Sequence, residues 1–312
     1  MVDSKQQWKA WLYLAPALIL LGIFTFYPLI NTFRIAFLEG YNGLAIVGGE
    51  TFEIGFDNFV KVFSYSGFTT CLKNTVLLCV VTVPISTIIA LLIAVCLNSI
   101  KPLQKLFQTV FFLPYITNSI AIGMVFNAMF SQVRTSDIVQ TAGIINNIIG
   151  VFGIEPINWV NAGSSWGCNF FVVCIYIIWN ALPFKILVLL GGLQNINKQY
   201  YDAAKIDGTK RIRMFWRITV PLLSPMIAYV VITSFIGGFK EYSSIVGIFG
   251  ETMGPPGSGI SGGSMNTIVG YIYDCLPNSN IGYASAAALI LFGIILIVTA
   301  INFYVSKKKV HY

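Results

Sequence analysis

Long apolar stretches, each closed by charges, set the rhythm of the chain. Lys9 to Arg34 encloses 24 uncharged residues, Lys73 to Lys101 encloses 27, and Lys105 to Arg134 encloses 28. Further on, Arg217 to Lys240 encloses 22 and Asp274 to Lys307 encloses 32, while Trp166 to Leu193 is apolar apart from Lys185. About 20 apolar residues of helix cross a bilayer core. The pattern therefore predicts six membrane-spanning helices, at about 11–34, 74–98, 106–130, 166–192, 218–240 and 283–305. Two other uncharged gaps do not qualify. Thr252–Tyr273 is broken by repeated glycines and by Pro255 and Pro256, and reads as flexible loop. Ile138–Ile154 contains Gln140, Asn146 and Asn147, is too short to cross, and suits the membrane surface. The first apolar stretch is too long for a removed leader, and no small-residue cleavage site follows it.

Composition agrees. Of the 312 residues 56% are hydrophobic and 10% charged, and mean hydropathy is +0.77, where a soluble domain carries about 25% charged residues. The expected fold class is an all-α integral membrane protein with six spans in a single domain over 1–312. The net charge of +7 raises the question of nucleic acid, but its distribution answers otherwise. With both termini cytoplasmic, thirteen Lys and Arg fall in inner segments and four, Arg34, Lys61, Lys73 and Arg134, in outer ones. That asymmetry is the positive-inside signature of membrane insertion. The acids do the reverse, with Glu39, Asp57, Glu155, Glu251 and others facing out. No nucleic-acid partner is expected.

The segment 194–217 then becomes a cytoplasmic loop between the fourth and fifth spans. "NKQYYDAAKI" favours helix, and Asp207-Gly208 supplies a stop with left-handed geometry. Tyr201, Ala204 and Gly208 stand at i, i+3 and i+7, so they share a narrow face of small residues that would let a partner's backbone approach. Pro221 and Pro225 stand at the start of the fifth span, where an early proline costs little. Two readings are open on these residues. A solvated positive-inside loop accounts for the basic residues. A docking helix also accounts for Ala203-Ala204 and the Asp-Gly stop.

The passage resembles the "EAA" loop of permease subunits in binding-protein-dependent ABC importers. The matching positions are Asp202-Ala203-Ala204, Asp207-Gly208-Thr209, Phe215-Trp216-Arg217 and Val220-Pro221, with Asp202 for the usual Glu and Thr209 for the usual Ala. "LYLAPALILLGIFTFYPLINTFRIAF", "FDNFVKVF", "FQTVFFLPY" and "GYASAAALILF" extend the resemblance along nearly the whole chain, towards the carbohydrate-uptake branch of maltose or glycerol-phosphate type. The large extra extracellular domain of the maltose-type member is missing. The resemblance implies a type I ABC importer permease fold, with Tyr201, Asp202, Ala203, Ala204, Asp207 and Gly208 in a coupling helix. It also implies a second permease subunit, two cytoplasmic ATPase subunits, an extracellular sugar-binding protein, and a place in the cytoplasmic membrane of a prokaryote.

Chemistry within the chain is not expected. A phosphate loop of the G-x-x-x-x-G-K-[ST] type needs a Gly-Lys pair, which this sequence does not have. With one histidine, His311, and no clustered carboxylates, no catalytic or metal site is expected, and ATP and magnesium would sit on the partner ATPase. The six cysteines lack metal-site spacing and read as packing, with a disulfide among Cys71, Cys168 and Cys275 left open. Ionisable groups inside spans are functional candidates, which singles out Lys185 and Lys240. Trp179, Asn180 and Phe184 accompany the first, and Gly238, Phe239 and Glu241 the second. Aromatic faces beside amides and charges suit a sugar, and in the maltose-type permease these parts of spans four and five line the sugar site. The Gly237-Gly238 pair would open room or break the helix. If both lysines touch substrate, an acidic sugar follows. The other reading has Lys185 snorkelling to the cytoplasm and Lys240 pairing with Glu241. Asn118, Asn127 and Asn180 are polar span residues that equally suit interhelical hydrogen bonds. The rival class is an ion- or proton-coupled secondary transporter, which would show inverted repeats and embedded carboxylates.

Overall fold

The computed structural model describes residues 7–41, 52–100, 104–135, 138–255, 263–277 and 280–309. Among the described residues, five helical stretches are long and apolar enough to cross a membrane: Trp8–Ala36, Ser66–Ser99, Trp166–Gln194, Arg211–Phe239 and Ile281–Lys308. They correspond to five of the six expected spans. The expected span at 106–130 is two helices, α5 (Gln104–Ile116) and α6 (Ser119–Phe130). Its break has a local cause. Asn118 is extended, and its side-chain oxygen accepts from the N–H groups of Ile120 and Ala121, so it starts a new helix.

The first span is α1 (Gln7–Leu21) and α2 (Tyr27–Ala36), joined by a π-helical turn over Gly22–Phe26. The fifth repeats the device, with α10 (Arg211–Met214), a π turn over Phe215–Thr219, and α11 (Val220–Phe239). Each π turn ends two residues before a proline, Pro28 or Pro221. A proline has no N–H to give and pushes on the carbonyl one turn back. A widened turn just ahead of it takes up that misfit without ending the helix. No break occurs at Gly237-Gly238, contrary to one expectation: α11 runs through both to Phe239.

The chain clusters into two compact units. In the first, Met1–Phe68 with Tyr271–Ile290, α3 (Asp57–Ser64) is tied to the end of α2. The buried Asn58 amide donates to the carbonyls of Ala36, at 3.0 Å, and Leu38, at 2.8 Å. Phe37 packs against Phe56 and Phe59 in the same corner.

The second unit, Thr69–Gly270 with Leu291–Tyr312, is organised on α8 (Trp166–Gln194) and α4 (Ser66–Ser99). Two clusters are packed along them. One holds Leu78, Val172, Val173 and Tyr176 with Ile245 and Ile248 of α12 (Ser243–Phe249). The other holds Ala90, Ala94, Leu189, Leu190 and Leu193 with Leu223 and Val230 of α11. An antiparallel hairpin, β1 (Gln132–Thr135) and β2 (Ile138–Ala142), precedes α7 (Ile144–Val151), so part of the expected surface stretch is strand. Asn146 of α7 is buried and bonded to both the N–H and the carbonyl of Ile157 and to the Trp159 indole.

The glycine-rich stretch expected as flexible loop is packed where it is described. Ser264 to Ile268 are buried, and Met265 N–H bonds the Met253 carbonyl at 3.0 Å. Asn74 of α4 holds this turn-containing run by donating to the carbonyls of Ser264 and Asn266. Gly263, at φ +78, lies so close to the carbonyls of Thr252 and Met253 that a side chain has no space. Helix α13 (Ile268–Cys275) follows directly, and α14 (Ile281–Lys309) closes the chain. None of the six cysteines is in a disulfide.

Candidate functional site

Between α8 and α10 stands α9, Lys198–Ile206. A helix this short does not hold itself together in water, so its ends matter. Asn197 caps the start, its side-chain oxygen accepting from the Gln199 N–H at 3.0 Å. The stop is at Asp207-Gly208. Gly208 takes φ +69, its N–H reaches the Lys205 carbonyl, and the Thr209 N–H reaches the Ala204 carbonyl at 2.9 Å. That pair of reversed bonds is a Schellman ending, which requires left-handed backbone at the glycine.

Of the face formed by Tyr201, Ala204 and Gly208, the first two pack on this chain and Gly208 is exposed. Tyr201 bonds through its hydroxyl to Thr219 of the π turn, at 3.1 Å, and Ala204 is buried. The small residues let α9 lie close to its own chain, because an alanine leaves room for a neighbouring element. Tyr200, Asp202, Ala203 and Ile206 are exposed as well, Ile206 to 87%. Sequence reasoning passed over Tyr200 and Ile206. Their signal was their position, one residue before Tyr201 and one before Asp207. Asp202 is exposed and paired with Lys205 at 2.8 Å. The hydrogen bond and charge of that ammonium hold the Asp202 carboxyl below its ordinary range.

The eight substrate-path residues fall into two groups. Four are committed to packing or capping. Lys185 is 3% exposed, and its ammonium donates to Ser86 Oγ at 2.7 Å, Thr87 Oγ1 at 3.1 Å and the Val83 carbonyl at 3.4 Å. All three N–H groups thus have neutral acceptors on α4. This corrects the snorkelling alternative: the side chain crosses to the neighbouring helix because those acceptors are within reach. Phe239 is buried. A Cβ on Gly238 would meet Cys79 Sγ at 2.7 Å, so this glycine serves close packing of α11 on α4 rather than opening room. Glu241 accepts from the Ser244 N–H and caps α12; among the described residues it forms no ion pair with Lys240.

The other four keep some freedom. Trp179 is exposed and packs on Phe126 with tilted rings, 5.7 Å between centroids. Phe184 stacks with Tyr115 of α5 at 6.1 Å. Asn180 is half-buried beside them, and Lys240 is exposed at the C-terminal end of α11. Of the polar span residues, Asn118 is a helix cap and Asn127 is interhelical, donating to the Ile248 carbonyl at 2.7 Å. Among the described residues no group of His, Cys, Asp or Glu is placed to hold a metal ion.

Comparison with known proteins gives a consistent result. The family described as "Binding-protein-dependent transport system inner membrane component" matches residues 83–311. The arabinooligosaccharides transport system permease protein of Bacillus subtilis is 30% identical, over 95% of this chain and 88% of its own length. The lactose transport system permease protein of Rhizobium radiobacter is 29% identical, over 96% of this chain and 95% of its own. Among solved structures, a bacterial ABC transporter involved in the import of the acidic polysaccharide alginate superposes with a TM-score of 0.78 at 22% identity. That match covers 97% of this chain and 96% of that one.

Proposed function

Because the chain belongs to the family of binding-protein-dependent transport system inner membrane components, we propose that it works as one permease subunit of an ATP-driven sugar importer. The cargo is a sugar or oligosaccharide, since relatives of 29–30% identity along most of their length are named for arabinooligosaccharides and lactose. The chain works beside a second permease subunit, two cytoplasmic ATPase subunits that hold ATP and magnesium, and an extracellular sugar-binding protein. It lies in the cytoplasmic membrane of a prokaryote with both termini inside, as the distribution of Lys and Arg supports.

The observation that carries the mechanism is α9. A capped helix that bonds to the base of α11 through Tyr201 and Thr219, while presenting Tyr200, Ala203 and Ile206 outward, has the form of a coupling element. It docks by that outward face in a groove of an ATPase subunit. ATP shifts the permease only if the ATPase pair binds one conformation better than the other. Closure of that pair moves α9 as a rigid body, and Tyr201–Thr219 passes the motion to α11. The spans then alternate between outward- and inward-facing states. Trp179, Asn180 and Phe184 line the sugar's path, with Lys240 at its outer end. Lys185, Gly238 and Phe239 fix the walls from behind, and Glu241 fixes α12.

Reconstitution of the four-part complex with its binding protein in proteoliposomes tests this. Uptake is expected to need ATP and to stop when the ATPase loses its phosphate-loop lysine. Uptake driven by a sodium or proton gradient without ATP would establish the secondary-transporter reading instead.

A further inference from the structure

The approach to the fifth span concentrates positive charge. Lys210, Arg211, Arg213 and Arg217 fall within eight residues, and all four are exposed. Among the described residues none of them forms an ion pair. The chain has little to offer them. With the termini inside, its cytoplasmic segments hold only three carboxylates, Asp3, Asp202 and Asp207, and Asp202 is paired with Lys205. Most of the counter-charge for this run is therefore external.

Depth and direction define where that counter-charge sits. Arg217 is the last charge before 22 uncharged residues, about 33 Å of helix, which fills a hydrocarbon core of about 30 Å. Arg217 thus stands at the hydrocarbon boundary, and Arg213 lies one turn, about 6 Å, further out, in the layer of lipid phosphates. On the helix, Thr219 is buried and bonded to Tyr201 of α9, and Phe215, one turn earlier, is half-buried. Arg213 and Arg217 each stand two positions before one of these, about half a turn round the axis, so they project away from α9. Trp216 beside them is 64% exposed, and tryptophan favours the headgroup level of a bilayer.

We infer that the base of the fifth span carries a site for an anionic phospholipid of the inner leaflet, with the phosphate between Arg213 and Arg217 and the Trp216 ring beside the glycerol. The chemistry selects the class. Guanidinium forks match phosphate oxygens, and residues four apart on a helix bring their Cβ atoms within about 6 Å, close enough to share one phosphate. A lipid with net negative charge is favoured over a zwitterionic one, because Lys210 and Arg211 lie within a few residues and add to the attraction. An acidic surface of the ATPase fits less well, since α9, which docks there, lies on the other side of the same helical turn. Lipid and α9 hold the π turn from opposite sides. The inference takes from the import reading only its orientation, with this segment inside.

The test releases the assembled complex from nanodiscs of equal phosphatidylcholine and phosphatidylglycerol and counts retained lipids by native mass spectrometry. Phosphatidylglycerol is expected to be retained in preference, and added inorganic phosphate should not displace it. Arg213→Gln with Arg217→Gln should lower that preference about 25-fold, and Arg213→Gln alone about fivefold, the worth of two charges and of one at an anionic surface. The single variant keeps the test valid if the pair fails to assemble. Lys307→Gln with Lys308→Gln removes as much charge from the exposed end of α14 and should leave the preference unchanged. No preference in wild type, displacement by inorganic phosphate, an unchanged preference in the arginine variants, or an equal loss in the lysine pair would overturn the site. So would loss of the ATPase subunits from the arginine variants with the lipid preference intact, which would assign the arginines to that partner. ATP-driven sugar uptake in proteoliposomes is read separately: its failure with the lipid preference intact would remove the import reading and leave the site.

Discussion

Gly208 sits at φ +69 with open space where a Cβ would stand, so any cost of substitution comes from backbone strain rather than collision. A β-branched residue there costs about 1–2 kcal/mol and loosens the Schellman ending. Gly208→Val is expected to leave ATP hydrolysis running while sugar uptake falls, read by measuring both in one preparation. Lys185 calls for a different experiment. Its buried ammonium depends on Ser86 and Thr87, and removing acceptors from a buried donor costs about 1–3 kcal/mol. Ser86→Ala with Thr87→Val should therefore lower the thermal midpoint of the complex. Lys185→Met in that background should restore much of it, since the charge that lacked partners is gone. The Asp202–Lys205 contact carries a pH dependence of known sign. The carboxyl is held below its ordinary range, so the contact persists above that range and is lost as pH falls through the lowered value, which NMR titration of the Asp202 carboxyl would follow. At this scale the sequence identified the Asp-Gly stop, because turn geometry is set by a residue and its neighbours. It could not place Lys185, whose acceptors lie 98 to 102 positions away.

Among the elements, α6 and α12 meet backbone to backbone at two glycines. A Cβ on Gly123 would meet the Gly247 backbone at 2.5 Å, and one on Gly247 would meet Gly123 Cα at 2.9 Å. Gly123→Ala must push two helices apart and is expected to cost about 1–3 kcal/mol, the range for overpacking. Gly191→Ala within α8 meets nothing within 4 Å and should be near neutral. Thermal unfolding of the two variants side by side checks the contrast. Uncharged apolar runs located the five long helices, since each carries its own; run length says nothing about breaks. It missed the break at Asn118, because an uncharged cap inside an apolar stretch leaves no trace in hydropathy. Periodicity grouped Tyr201, Ala204 and Gly208 on one face of α9, and of these Tyr201 and Ala204 pack on this chain while Gly208 is exposed. A helical repeat tells which residues share a face, and only the surrounding elements decide what that face meets.

For the whole molecule, the testable claim is orientation. With both termini cytoplasmic, a cysteine at the exposed position 200 should react with an impermeant thiol reagent only from inside. One at position 152, also exposed, should react only from outside, in both cases against a background with the native cysteines replaced. The reverse pattern would invert the coupling proposal. Membrane residence, the helical class and the position of the polar segment between the fourth and fifth spans were determined by the sequence alone. The free energy of moving an apolar run out of water is nearly a sum over its own residues. Where the fifth span's basic approach would pack, which glycines are contacts and what satisfies a buried lysine were decided only by the tertiary structure. Each of those depends on atoms far apart along the chain, and no local pattern encodes their distance.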